Sequence, residues 1–333
     1  MREAEYLTKR QSNAMISITD SDYFSLTSSP NAGRFLIASK NITAGTVILK
    51  APCFATVTDF SMRKRICWKC RNSLAGSRIA CCKCRIIHYC SELCETLDKQ
   101  YHNKYECAAL PSLASSDLND FTVTVALLVL KILEGNNQLQ FKSGFDDVLQ
   151  LVTNRISFPL QIVRDLKVIE RIIHKIAVPL LSAEIDAVGL AMRVLCNSFG
   201  TRRNSSVICM HIAPTASYFN HSCTPNTCRV QYHSEPEVLV FQTIQDIRAG
   251  QPVTISYIPL MQTAATKGVD SAESRMKLLQ ELYHFKCQCL LCSRHRSCAS
   301  WARKHMCELC DGRGFMIPVA DSGRFCSLCG MHE

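Results

Sequence analysis

The 333-residue sequence has no apolar run approaching the roughly 18 residues a membrane span requires, its best candidate, Val125 to Leu130, being closed at once by Lys131. The N-terminal segment through Tyr23 also lacks the continuous apolar stretch of about 7–15 residues found in secretory signals, so neither export nor a membrane anchor is expected. No segment recurs at a fixed period, which excludes a solenoid. Basic clusters are few, with Arg63-Lys64-Arg65, Arg202-Arg203 and Arg294-His295-Arg296 the main ones. Each is what a solvated loop carries, so nucleic-acid binding is not expected. Cysteine and glycine are scarce between residues 118 and 195.

What is present is a large apolar fraction, 47%, enough for a sizeable core, and 21 cysteines clustered as C-x2-C pairs. Without a signal for export, that clustering favours thiolate metal sites in a reducing compartment over disulfides. The formal charge of +10 counts every thiol as neutral. A zinc ion held by four thiolates adds about −2, and one held by three thiolates and a histidine about −1. Three sites of the first kind and one of the second leave roughly +3. The total charge therefore carries no argument for a nucleic-acid partner.

Along the chain, residues 1–30 are polar and read as a loose lead-in, with order beginning near Gly33. Arg34 to Ser39 and Thr46 to Leu49, around the turn Ala44-Gly45, predict two short strands joined by a tight connection. Phe121 to Leu133 and Leu160 to Ile176 carry helical spacing. Val207 to Ile212, Val238 to Phe241 and Val253 to Tyr257 predict strands again, with Ala249-Gly250 marking a turn.

The first cysteine cluster is Cys67-x2-Cys70-x10-Cys81-x2-Cys84-x5-Cys90-x3-Cys94-x7-His102-x4-Cys107. Its eight donors suffice for two closed tetrahedral zinc ions, and Glu92 onwards predicts a short helix presenting the later ligands. The segment Tyr89-Cys90-Ser91-Glu92-Leu93-Cys94 resembles the MYND finger. That resemblance implies an interleaved assignment, with Cys67, Cys70, Cys90 and Cys94 on one ion and Cys81, Cys84, His102 and Cys107 on the other. The last step is one residue longer than the family's H-x3-C, so either the final loop bulges by one residue or the second site is weaker. Cys82 reads as a spare thiol and His88 as a surface residue.

Further on stands Asn220-His221-Ser222-Cys223-Thr224-Pro225-Asn226, followed by Asp246 to Gly250 and Val253 to Tyr257. These segments, with Gly33-Arg34-Phe35, Cys196-Asn197-Ser198-Phe199 and Tyr283 to Cys292, resemble the SET domain of protein lysine methyltransferases over about residues 33–292. The resemblance implies S-adenosyl-L-methionine as cofactor, lined by Gly33, Arg34 and Phe35, with Phe35 where a second glycine is common. Asn220 and His221 would hold it through side-chain and backbone bonds, with Asn197 and Tyr257 as further contacts, and Phe285 would stack on its adenine. Tyr257 would orient the substrate amine, with Tyr283 as a wall of its channel. Cys223 would complete a four-thiolate post-SET zinc site with Cys287, Cys289 and Cys292.

Cys307-x2-Cys310-x15-Cys326-x2-Cys329 reads as a small zinc ribbon, which brings the expected zinc ions to four; Cys298 falls outside every pattern. The ribbon and Tyr101-His102 resemble the SET and MYND branch typified by protein 4, whose flanking TPR repeats are not visible here.

The expected class is α+β: a SET-type β-rich core with an inserted MYND finger and helical insert, then post-SET and C-terminal zinc modules. The boundaries are a lead-in at 1–30, the first part of the core at 31–66, the MYND finger at 67–107 and a helical insert at 108–195. The SET core with its Asn-His-Ser-Cys motif follows at 196–260, the post-SET segment at 261–298 and the ribbon at 299–333. The function implied is S-adenosylmethionine-dependent methylation of lysine in histone or other proteins. The alternative is a noncatalytic adaptor whose MYND finger binds peptide motifs. A protein or peptide lysine substrate, peptide partners at the finger, a monomer, and residence in cytoplasm and nucleus complete the expectation.

Overall fold

The computed structural model describes residues 21–30, 32–76, 78–136, 142–176, 186–203, 206–231, 237–260, 271–310, 312–319 and 323–333, so most of the predicted lead-in, residues 1–20, lies outside them. The strands, in chain order, are β1 (Phe24–Ser29), β2 (Gly33–Ala38), β3 (Val47–Pro52), β4 (Ala55–Thr58), β5 (Ile79–Ala80), β6 (His88–Tyr89) and β7 (Phe199–Arg203). They continue with β8 (Ser206–Ile212), β9 (Asn220–His221), β10 (Thr227–Val230), β11 (Val238–Thr243), β12 (Pro252–Ile255), β13 (Met316–Val319) and β14 (Gly323–Cys326). The α-helices are α1 (Glu92–Tyr101), α2 (Cys107–Ala114), α3 (Asp120–Asn136), α4 (Lys142–Leu149), α5 (Leu160–Ile176), α6 (Ala187–Asn197), α7 (Ala272–Tyr283), α8 (Leu290–Ser293) and α9 (Ala299–His305). The chain divides into two compact units, one made of residues 1–53 and 215–333, the other of residues 54–214.

The second unit is organised by α3. Every residue from Val125 to Leu130 is buried, as are Val123, Ile132 and Leu133. A helix apolar on all sides is stable only inside a core, and α3 accordingly packs against α4, α5, α6 and β4. On α5, by contrast, Leu166, Ile169 and Ile173 are buried, one stripe at spacings of three and four. The sheet β4-β8-β7 and the ribbon β5-β6 complete this unit.

In the first unit the sheets run β1-β2-β12-β9 and β10-β11-β3, with β13-β14 as a separate hairpin. Order thus begins before Gly33: Phe24 to Ser29 pairs antiparallel with Gly33 to Ala38. The strands predicted on either side of Ala44-Gly45 both form, but not as a hairpin, since β2 pairs with β1 and β12 while β3 pairs with β11. The third predicted strand ends at Ile255, leaving Tyr257 just beyond it. Strand β9 lies parallel to β12, with Asn220 opposite Thr254 and His221 opposite Ile255, and this pairing sets the signature beside the approach to Tyr257.

Asn226 explains part of that geometry. Its carboxamide donates to the Pro252 carbonyl at 2.8 Å and accepts the Thr254 N–H at 2.9 Å, so a side chain supplies the ladder partners that β12 would otherwise lack. Gly45 takes φ +83°, and a Cβ there would stand 2.5 Å from the Pro318 carbonyl oxygen. Gly45→Ala should therefore destabilise the protein by about 1–3 kcal/mol, read as a lowered midpoint in urea or thermal unfolding; an unchanged midpoint would contradict the close approach.

Candidate active site and metal centres

None of the 21 cysteines is in a disulfide, and fifteen of them, with His102, gather into four groups in which the ligand atoms lie within 4.8 Å of one another. They are Cys67/Cys70/Cys90/Cys94, Cys81/Cys84/His102/Cys107, Cys223/Cys287/Cys289/Cys292 and Cys307/Cys310/Cys326/Cys329. Four sulfurs at about 2.3 Å around one zinc are about 3.8 Å apart. The separations are 3.6 Å for Cys70 to Cys90 and Cys90 to Cys94, 3.8 Å for Cys81 to Cys107, 3.5 Å for Cys223 to Cys292, and 3.7 Å for Cys310 to Cys326. These are the edges of zinc tetrahedra and far exceed a disulfide bond of about 2 Å. The donor chemistry and the spacing both fit zinc.

In the finger, Ser91 caps α1 by accepting the Cys94 N–H, so one capped turn orients the later ligands. The extra residue between His102 and Cys107 is absorbed as a single π turn over His102–Glu106, closed by the Cys107 N–H on the His102 carbonyl. This is the expected one-residue bulge, wound into a helix rather than a loop. The turn brings in a residue that the sequence reading missed: Glu106 accepts at 2.7 Å from His102 Nδ1 and at 3.2 Å from Trp68 Nε1. The carboxylate leaves Nε2, 3.6 Å from Cys84 Sγ, as the metal-facing nitrogen, the arrangement in which an outer carboxylate fixes a ligating histidine. The i, i+4 spacing of His102 and Glu106 was the available signal. His88 bonds the Arg63 carbonyl and Cys82 is exposed, and neither joins a group. In the ribbon, a Cβ on Gly314 would meet Cys326 Sγ at 2.6 Å, so only glycine leaves the ligands room.

In the first unit, the signature and the C-terminal aromatics converge. Tyr257 is held by three bonds: its N–H donates to His221 Nδ1 at 3.1 Å, its hydroxyl donates to the Phe219 carbonyl at 2.6 Å, and its carbonyl accepts from the Tyr283 hydroxyl at 3.0 Å. Its ring centroid lies 5.4 Å from that of His221, 5.0 Å from Tyr283 and 6.1 Å from Phe285. Burial, with Tyr283 alongside, holds the Tyr257 phenol above its ordinary range, so it stays protonated.

The His221 ring is engaged on both sides. Nδ1 accepts from Tyr257, which places the proton on Nε2, and Nε2 lies 3.3 Å from Cys223 Sγ. Burial lowers its pKa to about 3. Of the predicted side-chain and backbone contacts to a cofactor, His221 therefore has only its backbone to offer. Tyr283, predicted as a channel wall, has its hydroxyl on the Tyr257 main chain. Asn220 Nδ2 donates to Ala32 O at 2.9 Å, which ties the start of β2 to the signature. Arg34 lies over the Tyr218 ring and donates to its hydroxyl. Gly33 takes φ +63° with open space where a Cβ would be, whereas Phe35 is an ordinary strand residue paired with Thr27; no second glycine is needed there. Asn197 belongs to the other unit, where its amide donates to Val152 O and Arg193 O. The Phe285 ring beside His221 and a left-handed Gly33 with open space around it, tied to the signature through Ala32 and Asn220, are features that fit a nucleoside-bearing cofactor.

A family model described as the SET domain matches residues 33–258. A SET and MYND domain-containing protein of Dictyostelium discoideum is 27% identical over 89% of this chain and 91% of its own length. The mouse histone-lysine N-methyltransferase SMYD3 is 25% identical over 79% of this chain and 59% of its own length. Among solved structures, the SET domain of LSMT bound to lysine and AdoHcy is similar at TM-score 0.41 and 14% identity, over 80% of this chain and 55% of that one. The chain thus spans little more than half the length of the mouse relative and of the LSMT chain.

Removing the carboxylate that orients His102 should weaken one of the four zinc sites. Glu106→Ala is expected to lower that site's zinc affinity about 10- to 100-fold, measured by competition with a chromogenic chelator. Four equally retained equivalents would refute the role given to Glu106.

Proposed function

Because the chain belongs to the SET domain family and is similar to its SET and MYND domain-containing members, we propose that it is an S-adenosylmethionine-dependent protein-lysine N-methyltransferase. One observation carries the reading: Tyr257 is fixed by three hydrogen bonds, to His221, Phe219 and Tyr283, with the Phe285 ring edge-on to its own, beside the Asn220-His221 strand. Gly33, Arg34 and the backbone of Asn220 and His221 would hold the cofactor, and the Phe285 face would receive its adenine. When bound, S-adenosylmethionine supplies a methyl group on a positively charged sulfur, which a neutral amine takes directly.

The protein's own contribution is alignment. Since the Tyr257 proton is engaged with Phe219 O, the phenol oxygen keeps lone pairs with which to accept an N–H of the substrate amine and fix the direction of its own lone pair. Tyr283 positions Tyr257 rather than touching substrate. An apolar, desolvated site disfavours the ammonium form of lysine, so no strong base is required. The substrate is a lysine of a protein or peptide. The MYND finger would receive peptide partners, and residence in both nucleus and cytoplasm, as a monomer, is part of the same proposal. Among the described residues no helix is long and apolar enough to cross a membrane.

Calorimetric titration of the zinc-loaded protein with S-adenosylmethionine tests the reading first, and absence of binding would overturn it. With a labelled cofactor and a good lysine substrate, Tyr257→Phe should reduce kcat about tenfold or more, the loss of one aligned hydrogen bond; an undiminished rate would remove Tyr257 from this role. For the wild type, kcat/KM should rise about tenfold per pH unit from 7 to 9 as the lysine substrate, of pKa about 10.4, deprotonates. No decline should follow near pH 10, because the Tyr257 phenol remains protonated; a falling limb there would contradict its raised pKa.

A further inference from the structure

Arg275, on α7, is the bulkiest of the fully buried side chains, 0% exposed. A guanidinium is charged at every accessible pH, and burying one is costly unless anionic or strongly accepting partners surround it. Two cysteine sulfurs and a carbonyl oxygen face it. Nη1 lies 3.4 Å from Cys298 Sγ, while Nη2 donates to the Arg296 carbonyl at 2.9 Å and lies 3.9 Å from Cys292 Sγ. Cys292 is one of the four donors grouped with Cys223, Cys287 and Cys289, three of them buried.

Zinc with four thiolates leaves about two negative charges, and a buried excess of that size calls for compensation. Cys298, one of the cysteines outside the metal groups, connects this charge to the rest of the unit. Its thiol donates to the Leu260 carbonyl at 3.2 Å while accepting from Arg275. Leu260 in turn donates its N–H to Gly312 O, at the neck of the C-terminal ribbon.

We propose that Arg275 is the built-in counter-charge of the Cys223/Cys287/Cys289/Cys292 zinc centre, and that through Cys298 it fixes the segment running from Tyr257 to Leu260. It is a positioning residue and touches neither cofactor nor substrate. Its fork matters as well as its charge, since two nitrogens serve two sulfurs and a carbonyl.

The test uses the full zinc-loaded chain with Arg275→Met and Arg275→Lys, and reads metal rather than turnover, so its outcome is separate from that of the cofactor titration. Challenged with a chromogenic chelator, Arg275→Met should release one zinc equivalent about 10- to 100-fold faster than the wild type, with Arg275→Lys in between. In cobalt-substituted protein, the thiolate-to-cobalt charge-transfer absorption should shift in both variants. Unchanged release and an unchanged cobalt spectrum overturn the proposal, as does equally fast release from both variants, which would make shape rather than charge the cause. If Arg275→Met does not fold, Arg275→Gln, which keeps a polar head without the charge, takes its place: faster release with a shifted cobalt band supports the counter-charge, and wild-type release with an unshifted band overturns it.

Discussion

Sulfurs with neighbours 3.5–3.9 Å away, in three sets of four and one set of three with His102, would repel one another as thiolates unless a dication stood among them, and much of the chain's order depends on that condition. The finger between Cys67 and Cys107 and the ribbon between Cys307 and Cys329 have short strands and little room for a core of their own. Metal binding supplies there the folding free energy that apolar burial supplies around α3. The remaining centre reaches furthest into function, because Cys223 is at once a zinc donor and a member of the signature beside Tyr257. Its sulfur faces His221, whose other nitrogen accepts the Tyr257 N–H.

Reading the sequence succeeded where the physics is local. C-x2-C pairs announce metal knuckles because both donors come from one turn, and the helical segments announce themselves because apolar spacing is set within each segment. Leu160–Ile176 is predicted as a helix and is helical throughout. The sixteen metal donors fall into the groups expected of them for the same reason, helped by the resemblance to the MYND finger.

What stayed hidden was non-local. Strand β1 reads Phe-Ser-Leu-Thr-Ser-Ser, with too few apolar residues to mark a strand, and it exists because β2 offers it a partner. The chain flanking Gly45 looked like a hairpin, yet its two strands find partners some 190 to 215 residues away, at β11 and β12. Arg275 carried no motif at all, and Glu106 only its i, i+4 spacing from His102. Each is defined by a donor atom that folding brings near it, and an isolated acidic or basic residue in a helix ordinarily reads as solvated surface. His221 was legible as important but not in its manner: pattern suggested a cofactor ligand, whereas its ring spans a metal thiolate and a backbone amide.

That last point bears on how the site attains its alignment. An oxygen that must orient an amine is useful only if its own position is fixed before the substrate arrives. A tyrosine side chain has two freely rotating bonds, and here the hydroxyl, carbonyl and N–H of Tyr257 are each tied to a different group. One of those groups, His221, is itself held against Cys223. Loss of metal from this centre would free Cys223, then His221, then one of the three restraints on Tyr257, the residue proposed to meet the substrate amine. The order of Tyr257 is therefore set at folding, and a zinc ion held by Cys223, Cys287, Cys289 and Cys292, with no open coordination position, would act on it solely through the geometry it maintains.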